Sequence, residues 1–184
     1  MESLASYLVV AMLAWVPVQA HAPLESSDHV MARYESIALD AASVALDDNE
    51  TPLFDGPDAR TETALLMLAV ASFESSFSRR VDEGTRRGDH GYSYCLMQIH
   101  IGPGATREGW NGQQLIEDRK RCFRAALHIL QASFTACRKL PVEDRLSAYA
   151  SGHCFADARI SRSRLGRARS WWQAHAPPKE ARET

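Results

Sequence analysis

Apolar residues recur at helical spacing along most of this chain. Between Asp28 and Asp47 they follow one another at steps of three and four, which predicts an amphipathic helix. A second helix is predicted from near Asp58, through an almost unbroken apolar run that ends at Glu74. The clearest amphipathic stripe begins at Leu115 and ends at Cys137. The first helix carries Val30, Tyr34, Ile37, Ala41, Val44 and Ala45, and the third carries Leu115, Ile116, Phe123, Ala126, Leu127, Leu130, Phe134 and Cys137.

Shorter elements are predicted between and after these helices. Residues 84–91, rich in glycine and charge, indicate a loop, and residues 92–101 a short extended or hairpin segment. Pro141 precedes a short helix from about residue 142 to 151, and Gly152 is a typical stop signal. An arginine-rich helix follows, and residues 177–184 form a flexible tail. Because no convincing series of strands exists, we predict a mainly α fold.

The first 22 residues resemble a secretory signal peptide. Residues 7–16 form an apolar run too short for a comfortable membrane span, and cleavage sites of the small-x-small type end at Ala20 and Ala22. No Lys or Arg precedes the run and Glu2 is acidic, so an uncleaved anchor or a native first helix is the alternative. We expect export to the periplasm or the cell exterior, with one domain over residues 23–176.

The net charge of −2 hides an uneven distribution. Residues 23–62 contain ten Asp or Glu against two Arg, whereas residues 159–184 contain seven Lys or Arg against two Glu. A basic tail can bind nucleic acid, anionic lipid or an acidic polymer, but a solvated arginine-rich helix is the commoner outcome. The length of 184 residues suits a single domain with its own core. We expect a monomer without a nucleic-acid partner.

Four cysteines accompany the predicted export signal: Cys95, Cys122, Cys137 and Cys154. An even number in an exported chain predicts two disulfides. Cys122 and Cys137 lie 15 residues apart on one predicted helix, hence roughly 22 Å apart, which is too far for a bridge. Two patterns remain open, 95–122 with 137–154 and 95–137 with 122–154.

Several common chemistries lack their sequence signatures. Neither Cys-x-x-Cys nor His-Glu-x-x-His occurs, so the four histidines from His90 to His153 and the cysteines do not predict a metal site. Gly-x-Ser-x-Gly is also absent, which argues against a serine hydrolase. We therefore expect no metal and no cofactor.

Glu74 is the leading candidate for a catalytic residue. On a helix it shares a face with Met67, Val70 and Ala71, so we expect partial loss of solvent around it. Desolvation disfavours the charged form of a carboxylate, and a carboxyl group that keeps its proton near neutral pH can protonate a glycosidic oxygen. The structural alternative is a glutamate that simply reaches water from the end of its helix.

Three segments, in order, resemble the lytic transglycosylase domain of the soluble-lytic, goose-lysozyme-like superfamily. They are Glu74-Ser75, Leu96-Met97-Gln98-Ile99 and Ala148-Tyr149-Ala150-Ser151-Gly152, beside the family's Glu-Ser, Gly-Leu-Met-Gln-Ile and Ala-Tyr-Asn-x-Gly. A weaker match begins at Cys122, and the whole resemblance covers about residues 58–154. The chain departs from the family at Cys95, Cys122 and Ala150, where the family has glycine, asparagine and asparagine.

The resemblance implies a lysozyme-like α-helical domain that cleaves the β-1,4 bond between N-acetylmuramic acid and N-acetylglucosamine in peptidoglycan strands. Glu74 would protonate the leaving oxygen and then take a proton from the muramoyl 6-hydroxyl, which gives a 1,6-anhydro product. The implied substrate contacts are Ser75, Met97, Gln98 and Tyr149, with the Tyr149 hydroxyl near Glu74. The two cysteines at positions that are neighbours in the family imply a 95–122 disulfide.

The sequence leaves two alternatives to this lyase. Asp82, Glu83 or Asp89 could supply the second carboxylate of a hydrolytic lysozyme. Ala150 in place of asparagine would suit a glycan-binding relative without catalysis. A secretion apparatus, another envelope process or a phage could each use such a protein, and the sequence does not choose among them.

Overall fold

A computed structural model describes residues 1–154, 158–175 and 177. The described helices and strands are α1 (Glu2–Trp15), α2 (Ser27–Ala45), α3 (Ala59–Glu74), α4 (Arg79–Asp82), β1 (Ser93–Tyr94), β2 (Ile99–His100), α5 (Gly112–Glu117), α6 (Arg119–Ala136), α7 (Ser147–Ser151) and α8 (Ala158–Ala174). The strands pair antiparallel, Ser93 with His100 and Tyr94 with Ile99. The prediction of a mainly α fold with a short hairpin is confirmed. Apart from Pro177, the predicted tail at 177–184 lies outside the described residues.

Helix α3 is the centre of the core. Every residue from 64 to 71 is at most 1% exposed, because α1, α2, α6 and α8 all pack around this helix. A helix that is apolar on all sides is typical of a buried position. Glu74 is the last residue of α3. Its carboxylate therefore lies where this buried helix ends, at the edge of a groove.

The apolar stripes of α2 and of the α5–α6 region are buried as predicted. The second stripe is not one helix, however. The backbone leaves helical geometry at Asp118, with φ −134° and ψ 100°, and α5 ends there. The Asp118 carboxylate accepts hydrogen bonds from the amides of Lys120 and Arg121, which caps the start of α6.

Residues 2–15 form helix α1, which packs against α2 and α3. Leu4, Leu8 and Met12 are at most 1% exposed, and Trp15 meets the Trp171 ring of α8 edge-on. The structure thus shows this segment as a core helix, and cleavage after residue 22 stays a prediction. No helix in the described part of the chain combines the length and apolar character needed to cross a bilayer.

The disulfides are Cys95–Cys122 and Cys137–Cys154, with Cα–Cα distances of 6.2 and 5.3 Å. This is the pattern that contains the bridge implied by the resemblance. The first bond joins the turn of the β1–β2 hairpin to α6. The second joins the end of α6 to the segment after α7.

Helix α8 contains most of the basic tail. Its buried stripe, which includes Leu165, Ala168 and Trp171, packs mainly against α3. Trp171 lies against Tyr7, Trp15 and His175, so it is a packing residue rather than a platform for a ligand.

Candidate active site

Glu74 lies where two surface cavities meet. Its side chain is 21% exposed. The larger cavity has a volume of about 860 Å³ and the smaller about 390 Å³. Glu74 and Gln98 line both of them. The two cavities thus share a carboxylate and an amide, polar groups of the kind that orient a ligand in a concave site.

The Glu74 carboxylate is held by an arginine from α8. Arg164 donates to Glu74 Oε1 from Nη2 at 2.6 Å and from Nε at 3.2 Å, and its own side chain is 12% exposed. The carboxylate thus faces a cation rather than only apolar side chains, and the predicted proton-donor role of Glu74 stays a prediction.

Sequence reasoning missed Arg164. Its partner lies 90 residues away in the chain, so no local pattern connects the two. One signal was nevertheless present: position 164 sits beside Ser161, Leu165 and Ala168, the buried stripe of α8. An arginine at the border of such a stripe faces the neighbouring helix rather than solvent.

A second arginine of α8 also contacts the end of α3. Arg167 donates to Ser72 Oγ at 2.7 Å, and its guanidinium lies 3.9 Å from the ring centroid of Phe73, a cation–π contact. Burial lowers the pKa of Arg167 below its ordinary value. Phe73, 39% exposed, is thereby covered on one side by α8.

Tyr149 lines the smaller cavity with Glu74, but it does not orient the acid. Its hydroxyl donates to the Met97 carbonyl at 2.8 Å, and no hydrogen bond to Glu74 exists among the described residues. Burial, and then the nearby charge of Glu74, raise the pKa of Tyr149 above its usual range. Tyr149 is thus near Glu74, as the resemblance implies, but its hydroxyl bonds to the hairpin and so connects α7 to it, and its contact with substrate stays a prediction.

Met97 and Gln98 have different positions, although both were predicted to line a sugar groove. The Met97 side chain is 0% exposed and belongs to the core, so its predicted contact with substrate is wrong. Gln98 lines both cavities, and its Nε2 donates to the Cys95 carbonyl at 3.0 Å. Its Oε1 packs on Gly88, where an added Cβ would lie only 2.3 Å away, so a larger residue at position 88 would displace the end of the Gln98 side chain.

Ser75 lines the larger cavity, yet its hydroxyl is already used. The Ser75 Oγ donates to the Ala71 carbonyl at 2.9 Å and accepts from the Phe77 amide at 3.3 Å. Those bonds end α3 and start the next turn. Ser75 therefore shapes the backbone beside Glu74, and contact with a substrate stays a prediction.

The backbone around the cavities is unusual. In the described part of the chain, all the non-glycine residues with positive φ lie between positions 76 and 98, namely Ser76, Phe77, Asp89, His90, Cys95 and Gln98. Residues held in such conformations cluster at functional sites. The buried Arg33 of α2 donates to the Phe77 carbonyl, and the Tyr34 ring packs on Phe77, which together hold the turn after Glu74 in place.

The three carboxylates considered as second catalytic groups differ in position. Asp89 lines the smaller cavity with Glu74, where it accepts from Ser93 Oγ at 2.5 Å and meets His100 Nδ1 at 3.3 Å. The bond from Ser93, followed by that from His100, lowers the pKa of Asp89. Glu83 lines only the larger cavity, and Asp82 is buried against Arg119 at 2.7 Å, so Asp82 is structural.

The wall of the smaller cavity also contains Ala150. A methyl group thus occupies the position where the resemblance implies an asparagine, and this wall lacks that amide. Among the described residues, no three or more His, Cys, Asp or Glu side chains are grouped so that they could hold a metal ion.

Comparisons with protein families, with curated proteins and with solved structures find no match to this chain. The likeness to lytic transglycosylases therefore rests on the motif residues alone.

Proposed function

We propose that this chain is a peptidoglycan lytic transglycosylase in which Glu74 is the only acid and base. One observation carries the proposal. Glu74, Gln98 and Tyr149 come from three separate motifs, and all three line the same cavity of about 390 Å³. The positive-φ backbone around that cavity also favours a functional site.

The proposed reaction needs one carboxyl group. Glu74 gives its proton to the glycosidic oxygen as the bond from that oxygen to C1 of the muramoyl unit breaks. The resulting carboxylate then takes the proton of the 6-hydroxyl, whose oxygen bonds to C1 and closes the anhydro ring. No water is consumed, and Glu74 ends protonated again, now by the proton of the 6-hydroxyl.

The Arg164 ion pair sets a condition on this mechanism. While Arg164 is bonded to Glu74 Oε1, that oxygen cannot approach a glycosidic oxygen. Arg164 lines the smaller cavity, so a sugar bound there would compete with it for Glu74. We propose that the ion pair is the resting arrangement and that bound glycan separates the two side chains.

The same ion pair favours a second candidate function, a glycan-binding relative without catalysis. If Arg164 stays on Glu74 when sugar binds, the acid is never available. Ala150 points the same way, because the amide implied there by the resemblance is missing. Gln98 would still offer an amide to N-acetyl groups in either case.

We also propose that the protein works outside the cytoplasm on peptidoglycan strands. Its two disulfides suit an oxidising compartment. A partner in a secretion apparatus, another envelope process or a phage, and a monomeric state, remain predictions.

One experiment tests the candidates. Purified protein, Glu74→Gln and the exposed control Glu35→Gln are incubated with sacculi, and released fragments are analysed by mass spectrometry. Anhydro-muramoyl ends from the wild type and the control, but not from Glu74→Gln, support the lyase. Reducing ends indicate a hydrolase, for which Asp89 is the candidate second carboxylate because it lines the same cavity as Glu74. If the protein sediments with sacculi but releases no fragments, the enzyme proposal is contradicted and the binding protein is favoured.

A further inference from the structure

Four arginines stand on one side of the larger cavity. We call Arg79, Arg80, Arg86 and Arg87 the arginine wall. They come from α4 and the loop after it, and all four residues are exposed. The cavity of about 860 Å³ extends from this wall to Glu74.

The carboxylates that line the same cavity already have cationic partners. Glu25 bonds to Arg33 at 2.7 Å, which lowers the pKa of Glu25, and Glu74 bonds to Arg164. Glu83 pairs with one member of the arginine wall, Arg79, at 3.8 Å. None of these carboxylates is left over to neutralise the rest of the wall.

Three cations of the arginine wall therefore remain available. Within the described residues, Arg80, Arg86 and Arg87 have no carboxylate partner, although Arg87 lies 5.0 Å from the ring centroid of Tyr94. His21, also on the cavity surface, bonds to the Tyr34 hydroxyl, and burial lowers its pKa, so it adds no charge near neutral pH. The unneutralised charge on this side of the cavity is positive.

The backbone holds two of these arginines close together. The Arg80 carbonyl accepts from the Arg86 amide at 2.8 Å and from Thr85 Oγ1 at 3.1 Å, which closes a tight turn between them. The turn passes through Gly84 at φ +69°, where a Cβ would also lie 2.4 Å from Ile116. The backbone of the two arginines is thus fixed before an anion binds, so binding costs no ordering of this turn.

We propose that the arginine wall binds the carboxylates of the peptide stem carried by peptidoglycan, an inference that rests on the proposed function. Guanidinium groups bind carboxylates through paired hydrogen bonds. Bare N-acetyl sugars carry no charge, whereas the stem on the muramoyl unit carries several carboxylates. A stem attached beside the bond at Glu74 enters the larger cavity and reaches the wall. The site thus selects glycan that bears peptide over glycan that does not.

Binding measured by calorimetry tests the proposal without relying on cleavage. The probes are a soluble disaccharide with a tripeptide stem, a neutral N-acetylglucosamine oligomer, an oligouronate and inorganic phosphate. We expect the wild type to bind the stem-bearing probe about tenfold more tightly than the neutral oligomer, with an affinity that falls as salt is added. Equal affinity for the two, or tighter binding of the oligouronate or of phosphate, would overturn the assignment.

Three double variants test whether Arg80 and Arg86 are responsible for this binding. Arg80→Gln with Arg86→Gln is expected to weaken binding of the stem-bearing probe about tenfold, since each lost charge-assisted contact contributes modestly. Arg80→Lys with Arg86→Lys, which keeps the charge, is expected to lose less. The control Arg138→Gln with Lys139→Gln removes the same charge from exposed residues outside both cavities and should bind like the wild type. Unchanged binding in the first variant would overturn the proposal.

The two proposals can fail separately. If sacculi are not cleaved, yet the Arg80 and Arg86 variant loses binding of the stem-bearing probe, the proposed enzyme activity is contradicted. The proposed role of the arginine wall is then still supported. If sacculi are cleaved, yet the variant binds and cleaves like the wild type, the wall fails and the enzyme stands.

Discussion

The arginines of α8 and those of the arginine wall differ in whether a carboxylate lies beside them. On α8, Arg162, Arg164 and Arg169 bond to Asp144, Glu74 and Glu143 at 2.7, 2.6 and 2.8 Å. In the arginine wall, three of the four residues have no carboxylate partner in the described part of the chain. Helix α8, which contains five arginines against four in the arginine wall, is thus the one whose charges are largely matched.

The difference shows what a run of like charges does and does not indicate. The acids that match α8 come from the end of α3 and from the turn at residues 142–144, so they are brought to the helix only by folding. The arginine wall is mixed with Asp82 and Glu83 in the sequence, which makes it look balanced. Asp82 is nevertheless buried against Arg119, which leaves the surface of that loop basic.

The largest expected effect distinguishes Glu74 from Asp144, two carboxylates that pair with arginines of α8. Glu74→Gln should reduce release of fragments from sacculi at least about 100-fold, because it removes the proton donor. Asp144→Asn, which removes the partner of Arg162, should lower the melting temperature and leave release intact. The measurements are mass spectrometry of fragments and thermal unfolding. Equal loss of release in both variants would contradict a special role for Glu74.

The next effect concerns the ion pair itself. Arg164→Gln should destabilise the fold by about 1–3 kcal/mol, since it leaves a partly buried carboxylate without its partner. It should not lower release of fragments from sacculi, because the proposed reaction requires the two side chains to separate before Glu74 acts. Arg162→Gln serves as the control on the same helix. A loss of release in Arg164→Gln while the protein stays folded would show that the arginine assists the acid instead.

His128 is a cation with carboxylate partners, and its charge can be removed by raising the pH. His128 lies between Glu108 at 2.5 Å and Glu50 at 2.9 Å. Burial opposes its charge, but the bonds from Glu108 and Glu50 outweigh burial and raise the pKa of His128. The stabilisation from these bonds should be complete below the unfolded pKa of about 6.5 and lost as pH rises through the folded value.

The test is urea unfolding of the wild type and His128→Gln. The wild type should be more stable than the variant by a larger margin at pH 5.5 than at pH 8.5. A margin that grows with pH would mean that His128 is buried as a neutral group.

The smallest expected effect lies in the arginine wall. Arg80→Gln and Arg86→Gln should each change the free energy of unfolding by no more than about 0.5 kcal/mol, because an exposed side chain without a partner contributes little to the fold. Urea unfolding of these variants and of Arg164→Gln gives free energies of unfolding that can be compared directly. A loss as large as that of Arg164→Gln would show that the wall is part of the structure rather than a binding surface.

Much of the fold could be predicted from the spacing of apolar residues. Helices α2 and α3 were predicted because their stripes are long and regular, and Gly152 indeed adopts the left-handed conformation after α7, with φ +75°. The rise per residue of a helix excluded one disulfide pattern before any contact was known. The break at Asp118 was missed because the apolar stripe continues across it, and only the side-chain cap reveals it.

The candidate site was harder to predict. Met97 was assigned to the groove by its place in the motif, but the backbone takes positive φ at Cys95 and Gln98 and Met97 is buried in the core. The Tyr149 hydroxyl was assigned to Glu74, but the nearby Met97 carbonyl accepts its hydrogen bond. Arg164 required knowledge of which helix packs on the end of α3, and no local pattern supplies that.

The larger cavity has one more wall, formed by Val16 and by several residues from Ala20 to Glu25. The two predicted cleavage sites lie in this wall, after Ala20 and after Ala22. Processing there would take away one face of the opening beside Glu74, together with the Val16 carbonyl that accepts from the Tyr34 hydroxyl at 2.9 Å. The same cut would remove α1, whose Leu4, Leu8 and Met12 are buried against the core, so it would expose the sides of α2 and α3 as well as open the groove.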